Sequence, residues 1–201
     1  MIIALLALAL ALCQAAVAES FAASTMRLMH YEGAVDILDA GSAPRFIMEN
    51  VRFDSGETLV TGEDGIAAVS LDTDRIVTLD ANSRAVFEKQ ANSLKLSLQE
   101  GALLLDVQKK LDANESLDIQ TSTMTVGIRG TIVFLTQEPD ETGEAVRNRL
   151  GVLEGTAEVT YINQSGTRQA IQVERGNVAT LEGASTLESI ASVRVEPLTR
   201  E

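Results

Sequence analysis

The sequence predicts an all-β domain, and three observations carry that prediction. Strand-like segments of roughly four to six residues recur with turn signals about every ten residues. The 201-residue chain is 45% hydrophobic, with three prolines, two tyrosines, five phenylalanines and no tryptophan, so its core is built from Val, Ile, Leu and Ala. A unit also recurs in which a polar residue and a glycine precede alternating apolar positions. It reads Glu32-Gly33-Ala34-Val35-Asp36-Ile37, Glu100-Gly101-Ala102-Leu103, Glu154-Gly155-Thr156-Ala157 and Arg175-Gly176-Asn177-Val178, with a looser copy at Ser55-Gly56-Glu57-Thr58-Leu59. Each copy reads as a turn with glycine at positive φ, followed by a strand. Their uneven spacing sets them apart from fixed-period repeats.

In chain order, the first eighteen residues, MIIALLALALALCQAAVA, carry no charge. The apolar run Ile2 to Leu12 and the A-x-A site Ala16-Val17-Ala18 read as a signal peptide over 1–18. The run is short for a membrane-spanning helix of about 20 residues. Cys13 lies inside the leader, and Leu12 is too large for the small residue that precedes a lipidated cysteine, so a lipid anchor is the lesser reading. The exported chain is then free of cysteine and is held by burial and strand pairing.

Residues 19–30 read as a flexible lead-in, 31–181 as the domain and 182–201 as a tail. Within the domain, Ile66 to Leu71 and Arg75 to Leu79 flank the turn Asp72-Thr73-Asp74, and Ala85 to Glu88 and Leu94 to Leu98 flank a polar stretch. Gln169 to Val173 follows the turn Asn163-Gln164-Ser165-Gly166, and Gln137 to Asn148 reads as an acidic loop.

The middle of the domain runs from Leu117 to Leu135. An alternating strand, Leu117 to Thr121, leads to Val126-Gly127-Ile128-Arg129-Gly130-Thr131 and then to Ile132-Val133-Phe134-Leu135. Two glycines three apart in a strand pattern imply a bulge or corner, with Arg129 at a bend between two buried strands. Arg129, with Gly127, Gly130 and Thr131, is the candidate structural or partner contact. An arginine there forks onto carbonyls or a carboxylate of neighbouring coils, or contacts a ligand or partner.

These residues resemble the core of FecR-domain proteins of bacterial envelopes, whose signature is V-x-V/I-R-G-T-x-F/V. The resemblance extends from about Gly33 to Leu181, through Asp54 to Gly62, Gly65 to Leu71, Leu98 to Gly101, Leu150 to Ala157 and Val173 to Gly176. It implies short strands stacked as a β-solenoid-like domain, with a β-sandwich as the alternative. The iron-uptake regulators that gave the family its name carry an anti-sigma segment and a membrane helix ahead of this domain. Here only a leader precedes it, so direct control of a sigma factor is not expected.

Composition narrows the chemistry. With 29 acidic and 16 basic residues the net charge is -13, which disfavours nucleic acid and anionic lipid. No membrane association is expected unless the leader is retained or Cys13 is lipidated. His30 is the single histidine and reads as an edge residue, leaving no triad and no zinc ligand set. Asp72 and Asp74 lack the following Gly and distal Glu of a calcium loop. Val126 to Thr131 lacks the spacing of a phosphate loop. No catalytic, metal or cofactor residue is assigned. The expectation is a non-catalytic module, exported to the periplasm or cell exterior, that recognises another envelope protein or a ligand in signalling. A structural or adhesive spacer is the alternative, and a hydrolase the remaining one.

Overall fold

The computed structural model describes residues 26–139, 145–184 and 190–199. The leader 1–18 with Cys13 lies outside the described residues, as do 19–25, 140–144 and part of the tail. Sixteen strands and no helix occur among the described residues, so the domain is all-β. In chain order they begin with β1 (Arg27–Glu32), β2 (Val35–Leu38), β3 (Pro44–Arg45), β4 (Glu57–Thr61), β5 (Ile66–Ser70) and β6 (Arg75–Leu79). Next come β7 (Arg84–Gln90), β8 (Ser93–Val107), β9 (Ser116–Gln120), β10 (Met124–Ile128) and β11 (Ile132–Pro139). The last are β12 (Ala145–Glu154), β13 (Thr156–Ile162), β14 (Arg168–Glu174), β15 (Asn177–Ala184) and β16 (Ile190–Pro197).

The strands form two layers. Layer A runs β1-β5-β6-β8-β11-β12-β15-β16, and layer B runs β3-β2-β4-β7-β8-β9-β10-β13-β14. Every strand pairing is antiparallel except β8 with β9. The chain passes back and forth between layers, and apart from β3 each layer keeps its strands in chain order. The all-β class expected is found, as strands with antiparallel neighbours in two facing layers. The inward residues of both layers join one apolar core.

Strand β8 belongs to both layers: its first half pairs with β7 and its second with β6 and β11. Its buried residues are Leu94, Leu96 and Leu98, then Leu103, Leu105 and Val107. The parity reverses between Leu98 and Leu103 because the core lies on opposite sides of the two layers. The reversal is made at Gly101, where φ is +85°. The recurring glycines of the sequence all take positive φ: Gly33, Gly56, Gly101, Gly155 and Gly176.

Several sequence readings change. The described residues of the segment read as an acidic loop, 137–139 and 145–148, are paired strand: Gln137 pairs with Asn148, Glu138 with Arg147 and Pro139 with Val146. Asn148 is fully buried and its Nδ2 donates to Thr123 Oγ1 at 2.6 Å, while Gln137 accepts from Ser122 N at 3.3 Å. These bonds tie the β9–β10 turn of layer B to layer A, so polar composition here marks a buried junction. Strand β1 begins within the segment read as a lead-in, and its bulge between Leu28 and His30 breaks the alternation that would have revealed it. Strand β16 lies within the segment read as a tail and closes layer A against β15.

Candidate functional site

The outer face of layer B carries a polar row. Lys95 of β8, Asp118 of β9, Gly127 of β10, Glu158 of β13 and Gln172 of β14 stand opposite one another in register. They alternate with Leu96, Ile119, Val126 and Val159, which fill the core. Above Asp118, Gly127 and Glu158 lies a cleft of about 610 Å³, bounded by the 108–115 loop and by Arg129 and Gly130.

The R-G-T segment divides its work among three residues. Gly130 turns the chain from β10 in layer B to β11 in layer A. Its φ is +86°, and a Cβ there would lie 3.0 Å from the Lys110 Cα, so only glycine fits. Thr131 is buried, its carbonyl accepting from Val107 N at 3.2 Å. Its hydroxyl has no hydrogen-bond partner among the described residues. Arg129 is exposed at the lip of the cleft. No hydrogen bond or ion pair joins its guanidinium to another described residue, and the fork onto a neighbouring coil is not formed. Gly127 sits in regular strand register and makes no bulge. The bend expected around these glycines therefore falls at Gly130 alone.

The wall of the cleft is pinned from layer A. Arg75 Nη1 lies 3.2 Å from Asp72 Oδ2, and its Nη2 donates to Glu115 Oε2 at 2.5 Å. Asp112 N also donates to Glu115 Oε2, at 3.2 Å. The Asp112 amide first and the Arg75 guanidinium second hold the Glu115 carboxyl below the usual carboxylate range. A depressed carboxyl stabilises the fold above its unfolded value of 4.5 and loses that contribution as pH falls through the lower folded value. Arg75→Ala is therefore expected to move the Glu115 titration upward, read by carboxyl ¹³C shifts. An unmoved titration would show that the Asp112 amide alone holds it.

The floor behaves oppositely. Asp118 is half-buried, and burial pushes its carboxyl above the ordinary aspartate range. No hydrogen bond or ion pair to it occurs among the described residues. Its neighbour Lys95 is engaged by Glu88, Nζ to Oε2 at 2.8 Å. Sequence reasoning found Arg129, Gly127, Gly130 and Thr131 but missed Asp118, Glu158 and the 108–115 loop. Alternation places Asp118 and Glu158 on an outer face, but only cross-strand register sets them either side of Gly127.

His30 lies away from this cleft, exposed on β1. Its ring nitrogens are 3.1 Å from Glu32 Oε1 and from Glu49 Oε1, and Glu32 first, then Glu49, raises its pKa. Asp72 serves the turn, accepting from Asp74 N at 3.0 Å. Among the described residues no three His, Cys, Asp or Glu side chains converge on a metal position.

The fold has solved counterparts. Two crystal structures of a "putative anti-sigma factor" from Parabacteroides distasonis ATCC 8503 superpose with TM-scores of 0.55 and 0.53, at 13% and 14% identity. The matches cover 70% and 69% of this chain and 59% and 57% of those chains, so this chain spans under two thirds of their length. At such identity the likeness is one of fold. No curated protein matches the sequence. Residues 57–178, which hold the cleft and most of both layers, match the family described as FecR protein.

Proposed function

Because this chain belongs to the FecR protein family, we propose that it is a non-catalytic recognition module of bacterial envelope signalling, exported and bound to another envelope protein. The observation that carries the reading is Arg129. It is an exposed arginine without a described partner, held by the Gly130 turn at the lip of the cleft of about 610 Å³. Arginine is suited to bidentate contact with a carboxylate. The structural neighbours described as anti-sigma factors support a regulatory setting.

Crosslinked capture from an envelope fraction tests the reading, using the purified protein beside an Arg129→Ala variant. One saturable partner, captured at least tenfold less by the folded variant, is the expected outcome. Equal capture by both would return Arg129 to a surface role. No saturable partner in either would favour the spacer reading, which the chain-ordered stacking of both layers also suits.

A further inference from the structure

The cleft floor contains a glycine that its own fold does not need. Gly127 lies inside β10 without positive φ. A Cβ there would meet Asp118 Oδ1 at 3.7 Å and the Glu158 carbonyl oxygen at 3.9 Å, ordinary contacts that any residue tolerates. The contrast with Gly130 and Gly155 is sharp: at Gly155 a Cβ would lie 2.7 Å from Thr131 Cγ2, with φ at +78°. Glycine in a strand interior lowers stability and gives the sheet nothing to pack. What it provides here is an open floor, with backbone accessible from outside.

A carboxylate stands on each side of that opening. Asp118 and Glu158 both face Gly127 in register, and adjacent strands are about 4.8 Å apart. A flat group of one strand's width therefore fits between them. Asp118 is partly withdrawn from water without a described partner, an arrangement that disfavours its charge until a cation arrives. Two carboxylates fall short of a calcium ligand set. On the opposite wall, Lys110 and Arg129 are exposed and repel a free cation, while they attract an acidic group attached to one.

Resting on the recognition reading above, we infer that this floor seats a basic side chain of the partner. An arginine from an extended segment lays its guanidinium on Gly127 between Asp118 and Glu158. An acidic residue of the same segment then meets Arg129. The planar guanidinium suits a peptide surface flanked by acceptors better than a lysine ammonium does.

The test titrates ¹⁵N-labelled protein with acetyl-arginine amide and with acetyl-citrulline amide, its uncharged isostere, and follows the amides of Asp118, Gly127 and Glu158. Saturable shifts with the arginine probe, at least tenfold weaker with citrulline, are expected. Asp118→Asn should weaken the arginine probe at least tenfold. Gly127→Val fills the floor: it should abolish the shifts while raising Tm by about 2–4 °C, which separates lost binding from lost folding. Equal shifts from both probes, or undiminished binding in Asp118→Asn or Gly127→Val, would overturn the inference. Partner capture that is lost in Arg129→Ala but kept in a folded Asp118→Asn, Glu158→Gln double variant would also overturn it, leaving the recognition reading intact.

Discussion

Gly101→Ala is expected to remove about 3–5 kcal/mol of stability, enough to unfold much of the population of a domain held by about 5–15 kcal/mol. Two causes add. The residue sits at φ +85°, where a side chain costs about 1–3 kcal/mol. Its new Cβ would also lie 2.3 Å from Ser83 Oγ and 2.5 Å from the Asn82 carbonyl oxygen. Ser83 has nowhere to go: it is buried, accepts from Ala102 N at 2.9 Å, and can donate to the Ala81 or Ala102 carbonyl at 3.1 Å. Displacing it strands buried polar groups at the point where β8 changes layers. Gly176→Ala is the control, since φ is +80° there but nothing lies within 4 Å. It should lose only the backbone share, about 1–2 kcal/mol. Urea unfolding of both variants decides the matter, and equal losses would show that the contact with Ser83 contributes nothing.

Phe87→Ala is expected to cost about 3–5 kcal/mol, lowering Tm by roughly 10 °C in a chain of this size. Phe87 of β7 and Phe53 are fully buried, with ring centroids 4.9 Å apart at 58°. Phe53 N donates to the Met26 carbonyl at 3.0 Å, so this ring pair joins the start of the described chain to layer B. The cavity left by the missing ring faces packing that two sheets hold in place, which limits collapse. Phe87→Leu, closer in volume, should recover more than half of the loss in a thermal melt. A Tm for Phe87→Ala within about 2 °C of the parent would mean that Phe53 can refill the space.

What the sequence made legible was local. Positive-φ glycine is a property of one turn, and the E-G-x units announced it at Gly33, Gly101 and Gly155. Alternation is a property of one strand, and it announced β5, β6 and β9, while the β-branched and aromatic run Ile132 to Leu135 announced the first half of β11. Features that depend on two distant segments were hidden. The pairing that flanks Gly127 with carboxylates joins β9, β10 and β13 across 41 positions, from Asp118 to Glu158 inclusive. Asn148 looked like loop chemistry because its partner, Thr123, is 25 positions away. Strand β8 looked like two strands because Glu100-Gly101 reads as a turn, whereas the positive φ at Gly101 lets one strand pass from layer B to layer A. Of the R-G-T motif, the sequence marked a bend at both glycines where only Gly130 makes one, and the direction of Arg129, out toward solvent, became visible only with the turn in place.

The order of strands also bears on how fast this architecture can be reached. In all-β domains wired in a Greek-key pattern, some neighbours in a sheet come from remote parts of the chain, and closing those long loops slows the search. Here each layer, apart from β3, adds its strands in chain order. A new strand's neighbour is the previous strand of that layer, reached directly in a hairpin or after an excursion through the other layer, as from Arg27 to Ser70 or from Ala145 to Ala184. Growth from the Met26 end toward β16 adds strands to each layer in turn, although β1 pairs with no strand until β5 is made. Such a chain should fold faster than sandwiches of equal length wired in a Greek-key pattern, and partly made chains should already shelter their finished strands.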